Sequence, residues 1–197
     1  LVSPVKVVQT LFTVIFDPDF FKTVWYSAAR ILGGFFTALT LGTVLGWVAS
    51  RFWVVETLLR PITAVIKATP VASFIILVLL WFSGKNLSVI ISMLMVFPVI
   101  YMNVLEGIRS ADEKLLEMAQ VFRLSVGKKL LYIYLPAVAP FFVSACSVSL
   151  GLCWKSGIAA EVIAQPRNSI GSALQQAKLF FATPEMFAWT LAIILLS

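Results

Sequence analysis

Residues Glu117–Pro136 read EMAQVFRLSVGKKLLYIYLP, a charged, helix-forming island set between long apolar flanks. The flanks decide what the island is. Sixty per cent of the 197 residues are apolar and 12% are charged, with a mean hydropathy of +0.99, whereas a soluble domain carries about 25% charge. Apolar runs of about 20 residues suit helices that satisfy their own backbone hydrogen bonds in lipid, and the period-2 alternation of a lipid-facing barrel is absent. The island is therefore a water-exposed connection in an all-α, polytopic membrane protein.

Working outward, Leu1–Phe21 is amphipathic, with Pro4 and an Asp17-Pro18-Asp19 break, and reads as an interfacial segment. The first span runs from about Trp25 to Ser50, where Gly34, Ala38, Gly42, Gly46 and Ser50 recur every fourth residue. Such a small-residue ridge brings another helix into close contact, within the chain or in a dimer. A second apolar stretch, Val54–Phe82, is interrupted by Pro61, Lys67 and Pro70; it predicts a helix at the membrane edge, a bend, and a span from Val71 to Phe82. After a turn at Ser83–Asn86, Leu87–Ile108 is the third span, with a kink expected at Pro98. Pro136 opens the fourth, reaching about Ala160, and a last one starts near Pro184. The chain begins at Leu1 rather than methionine, and its final apolar run, Phe187–Ser197, is about half a span. At least one end is therefore expected to lie outside it.

The island itself predicts two short helices. Ser110 with Glu113 three residues on reads as a capping box, and Leu115, Ala119 and Phe122 share one face of the helix that follows. Ser125 and Gly127 break that helix, and a second carries Lys128, Lys129, Leu130 and Ile133. Residues 109–129 hold five of the fifteen basic residues, which places the connection in the cytoplasm. In that orientation eight Lys or Arg fall inside and seven outside, so the assignment rests on this connection alone. Two amphipathic helices exposed to water form a shape that docks into a groove on a soluble protein, which needs an apolar face and a polar rim. Leu115, Met118, Ala119 and Phe122 are assigned to the apolar face, and Glu117 to a polar contact or to a charge near the helix N-terminus.

Other chemistries find little support. The +6 charge is scattered, with no basic stripe interleaved with aromatics, so nucleic acid is not an expected partner. Histidine is absent, and neither a nucleophile elbow nor an acidic metal cluster is present, which argues against a membrane enzyme and against any metal or cofactor. Cys146 and Cys153 stand two helical turns apart, roughly 10 Å, too far for a disulfide. Charges inside the membrane are functional candidates: Arg30 toward the outer end of the first span, Lys155 and Glu161 toward that of the fourth. Lys155 is placed to attract an anionic solute, or to pair with an acid or snorkel in a structural role. Lys155 and Glu161, six residues apart, point to different faces of one helix.

Glu117, Ala119, Ile133, Leu135 and Pro136 stand at the spacing of a known motif: Glu-Ala-Ala, three residues, Gly, nine residues, Ile-x-Leu-Pro. In this it resembles the EAA loop of bacterial ABC importer permeases. Met118 replaces the first alanine and Arg123 the glycine, so the turn is expected to be supplied by Ser125 and Gly127. Ser27 and Arg30 followed by Gly34, KATPVASF at Lys67–Phe74, and WKSGIAAEVIAQPRNSIG at Trp154–Gly171 are similar to the permeases of nitrate, sulfonate and taurine importers. The resemblance implies a type I permease fold, a single domain over 1–197 with about five of about six spans present, and a coupling loop at 109–135. It implies a bacterial inner-membrane location, a second permease copy, two cytoplasmic ATPase subunits bound through the loop, an extracytoplasmic solute-binding protein, and no catalysis by this chain. A secondary transporter, whose broken helices and midplane charges look alike, is the alternative; it works without an ATPase.

Overall fold

The computed structural model describes residues 3–197; Leu1 and Val2, the first two residues of the expected interfacial segment, lie outside the described residues. Ten α-helices follow in order: α1 (Pro4–Ile15), α2 (Phe20–Arg51), α3 (Trp53–Ala68), α4 (Val71–Leu79), α5 (Leu87–Arg109), α6 (Glu113–Val121), α7 (Val126–Lys129), α8 (Leu135–Ala164), α9 (Ile170–Leu179) and α10 (Thr183–Leu196). No strand occurs among the described residues. Among the described residues three helical stretches are long and apolar enough to cross a membrane: Phe20–Arg51, Gly84–Arg109 and Val126–Ala164. Counting α3 with α4 as one broken span makes four, against the five expected. The difference lies in α10, whose 14 residues make a shorter apolar helix at about 21 Å of rise.

Several boundaries differ from the sequence reading. Pro61 does not interrupt α3, which runs through it to Ala68. A proline costs one backbone bond and crowds the preceding turn, and polar neighbours or local adjustment can absorb that in a membrane protein. The helix stops instead at Thr69 and Pro70, whose ψ angles of 132° and 135° are extended. The following α4 has nine residues, too few to span alone. α5 continues unbroken through Pro98.

The fourth span starts earlier than expected, because Val126–Ala164 is one helical stretch of 39 residues. Pro136 lies within it, directly after a π-helical turn at Leu130–Tyr134. Pro136 has no N–H to give, and its ring crowds the carbonyl one turn back, at Tyr132. A widened turn takes up that crowding without ending the helix.

The chain divides into two compact units. The first comprises residues up to Phe35, Pro70–Met93 and Gly151–Ser197. Within it, a Cβ added at Gly34 would meet the Val89 carbonyl and the Ser92 side chain, and one added at Gly157 would meet Ile31 and Ser92, so these backbones pack at contact distance. The Ser92 hydroxyl donates to the Cys153 carbonyl at 3.1 Å. α1 lies on α10, and Phe20, which opens α2, stacks on Trp189 of α10 at 5.4 Å.

The second unit comprises Phe36–Thr69 and Leu94–Leu150. Here the small-residue ridge continues, with Gly42 against Ile100 and Tyr101 and Gly46 against Tyr101 and Val104. In each unit the ridge of α2 therefore meets α5 of the same chain. The core here is Ala49, Tyr101 and Leu105, and Arg109 at the end of α5 pairs with Glu56 of α3 at 2.6 Å.

Candidate functional site

The island folds as one short helix, α6, held by a small apolar core on the first turns of the long stretch Val126–Ala164, so the expected second short helix is the root of the fourth span. Asp112 caps α6, its carboxylate accepting from the Lys114 N–H at 2.8 Å. Ser110, expected in that position, finishes α5 instead, its hydroxyl donating to the Gly107 carbonyl at 2.9 Å. Both residues can cap, but Asp112 stands one residue before the first helical turn and Ser110 does not.

The far end of α6 is closed by the residue that departs from the motif. Arg123 takes φ of 49°, the left-handed conformation that glycine adopts most readily. Around it the Leu124 N–H donates to the Ala119 carbonyl at 2.9 Å and the Arg123 N–H to the Gln120 carbonyl at 3.0 Å. This is the Schellman pattern, with six-to-one and five-to-two bonds. The turn is thus made by Phe122–Leu124, not by Ser125 and Gly127. Gly127 has negative φ and lies inside α7 with open space where its side chain would be.

Nine residues of α6 carry two apolar faces. Inward, Ala119 is fully buried and packs with Ala111 and Ile133, joined by Leu116, Leu124, Tyr134 and Ala137. Ala119, expected on the exposed apolar face, is instead an anchor, because its side of α6 is covered by Ala111 and Ile133. Ile133 likewise faces inward, while Leu135 and Pro136 are exposed. Outward, Leu115 and Met118 are exposed, followed by Val121 and Phe122 at 80% and 71%. Val121, which was not singled out, joins this face because i and i+3 neighbours share one side of a helix. Glu117 is exposed beside it.

The three membrane charges separate. Glu161 on α8 is fully buried. Its Oε2 accepts from the Ser27 hydroxyl at 2.7 Å and from the Gly171 N–H at 3.3 Å. Ser27 in turn accepts from the Ile170 N–H at 2.9 Å. Ile170 and Gly171 open α9, so the carboxylate lies at a helix N-terminus, where free N–H groups favour an acceptor. Gly171 is needed there, since a Cβ would meet the backbone and side chain of Glu161. Glu161 is thus a clamp holding α9 on α8 and α2. Arg30 also has protein partners: Nη2 donates to Asn86 Oδ1 at 2.9 Å, and the guanidinium lies 4.7 Å from the Tyr26 ring centre. Lys155 is exposed and forms no ion pair among the described residues. The contact of Glu161 with Ser27, 134 residues away, had no local signal.

The described residues thus form an all-α chain with helical stretches of membrane-spanning length and a short capped helix whose outer apolar side is exposed. The chain belongs to the binding-protein-dependent transport system inner membrane component family, whose profile matches residues 38–197. It is similar to the protein named as an aliphatic sulfonates transport permease in Bacillus subtilis (strain 168), at 29% identity over 95% of this chain and 68% of the relative. It is also similar to the taurine transport system permease protein of Escherichia coli (strain K12), at 27% over 95% and 70%. A third relative is the bicarbonate transport system permease protein of Synechococcus elongatus, at 26% over 79% and 56%. The chain is accordingly a permease subunit of an ABC importer in the bacterial inner membrane, and membership of that family implies an ATPase and a binding protein as partners. The secondary-transporter alternative is set aside.

Proposed function

We propose that residues 109–135 are the coupling segment through which the ATPase drives this permease. In this reading two permease copies form a homodimer, each engaging one of two cytoplasmic ATPase subunits. The solute is a small anion of the sulfonate, taurine or bicarbonate kind, as the names of the relatives suggest. The observation that carries the reading is the second apolar face of α6. Its inner face is already closed on Ala119 and Ile133, so Leu115, Met118, Val121 and Phe122 have no use within the chain. An exposed apolar helix face with a polar rim is what a groove on a partner accepts.

The same packing explains how motion would pass inward. α6 is seated on Ile133, Tyr134 and Ala137, which belong to the continuous stretch Val126–Ala164. Displacement of α6 by the closing ATPases would move the root of that helix as a rigid body, tilting it between inward-open and outward-open arrangements. A second copy has surface to meet: 11% of the apolar window of Val126–Ala164 is buried, against 56% for Gly84–Arg109. Of the membrane charges, Lys155 alone is left for the solute path, because Arg30 and Glu161 are engaged.

The test is copurification of the ATPase with the permease and solute-stimulated ATP hydrolysis in the reconstituted importer. Met118→Asp and Phe122→Asp are expected to leave the permease folded, to weaken ATPase binding by tenfold or more, and to abolish stimulation. Unchanged binding with unchanged stimulation would sink the coupling role.

A further inference from the structure

Beside α6, the second unit carries a groove of two parts, walled in part by Val126–Leu135 at the end of the proposed coupling segment. The outer part, about 490 Å³, is lined by Ser50, Arg51 and Phe52 at the end of α2 and by Val126 and Lys129 of α7. The inner part, about 290 Å³, is lined by apolar atoms of residues that include Thr43, Val104, Leu135 and Val138. Both parts share Trp47, Ile108, Leu130 and Tyr134, so they form one continuous depression. Its mouth holds two cations and no acid, and neither Arg51 nor Lys129 forms an ion pair among the described residues.

The position of the groove selects its occupant. Arg51 is the last residue of one apolar stretch and Lys129 follows shortly after the start of another, a position that suits cations facing lipid headgroups. Trp47, Phe52 and Tyr134 surround them, as aromatic residues do at a membrane interface. From Arg51 to Thr43 the groove descends α2 for about 12 Å, into the depth of the acyl chains. A soluble protein or free anion would satisfy the mouth and leave the apolar floor uncovered. An amphiphile with a negative head satisfies both.

We propose that this groove is a binding site for an anionic phospholipid of the leaflet on the side of α6 and α7, its phosphate between Arg51 and Lys129 and one acyl chain along Trp47, Ile108 and Val138. Basic pockets at the ends of membrane helices have this chemistry. Two unpaired cations predict roughly a 30-fold preference over a zwitterionic lipid with the same chains.

Native mass spectrometry of the detergent-purified importer, titrated with phosphatidylglycerol or phosphatidylcholine of identical chains, measures that preference. The expected result is tighter retention of phosphatidylglycerol, lost in Arg51→Gln/Lys129→Gln and kept in Arg51→Lys/Lys129→Arg. Glycerol phosphate, which has the head without the chains, is expected not to compete. Equal retention of the two lipids, a preference that survives the double glutamine variant, or full competition by glycerol phosphate overturns the site. If the glutamine variant does not assemble, phosphatidylglycerol with a photoreactive acyl chain is applied to the unaltered importer. Labelling within residues 43–52, 104–108 or 126–138 supports the site. Labelling elsewhere, or a photoreactive residue at Trp47 that captures a second permease copy or the ATPase, overturns it.

Discussion

Arg123 shows how one residue can keep a motif's geometry while departing from its letter. A left-handed L-residue costs about 1–2 kcal/mol, and glycine returns part of that gain as unfolded-chain entropy. Arg123→Gly is expected to stabilise the segment by about 1 kcal/mol, and the β-branched Arg123→Val to destabilise it by at least as much, read as resistance of the 109–135 segment to limited proteolysis. The sequence marked the position as anomalous but assigned the turn to Ser125 and Gly127, because glycine is the usual left-handed residue and the backbone of an arginine cannot be read from its type. At Glu161 the expectation differs by replacement. Glu161→Gln keeps an acceptor for Ser27 and Gly171 and costs about 1 kcal/mol, while Glu161→Leu leaves both donors unpaired in the core and costs about 3 kcal/mol or more. Thermal unfolding in detergent separates the two, and equal losses would show that the carboxylate's hydrogen bonds do not hold α9.

At the scale of the element, α6 was legible as an amphipathic helix but not as one with two apolar faces. Leu115, Met118, Ala119 and Phe122 satisfy helical spacing as a single stripe. Which part of that stripe turns inward depends on Ala111 and Ile133, which come from other segments. Hence two substitutions three-dimensionally close should fail differently. Ala119→Asp buries an unpaired charge and is expected to cost about 3 kcal/mol or more, opening the whole segment to protease. Met118→Asp leaves protease resistance unchanged and affects only ATPase binding. Similar protease sensitivity in both would mean that α6 has no free face. The small-residue ridge of α2 was equally ambiguous, since Gly34, Gly42 and Gly46 suit contact with any helix. Packing resolves it onto α5 within the chain.

For the whole molecule, the solute path is the property least accessible from sequence, and the proposal that Lys155 lies on it is open to a direct test. Lys155→Met is expected to reduce uptake of an anionic solute by tenfold or more while copurification with the ATPase stays intact; normal uptake would remove Lys155 from the path. The membrane class, the helical architecture and the position of the charged, exposed island around α6 followed from the sequence by itself. They depend on hydrophobicity, on backbone hydrogen bonding in lipid and on local spacing, all of which are written along the chain. Tertiary structure alone decided that Glu161 is a clamp, that Ala119 is an anchor, and that Arg51 and Lys129 share a groove with Trp47 and Tyr134. Each of these depends on which residues distant in sequence come together, and burial by such neighbours determines whether a charge or a methyl group is exposed or enclosed.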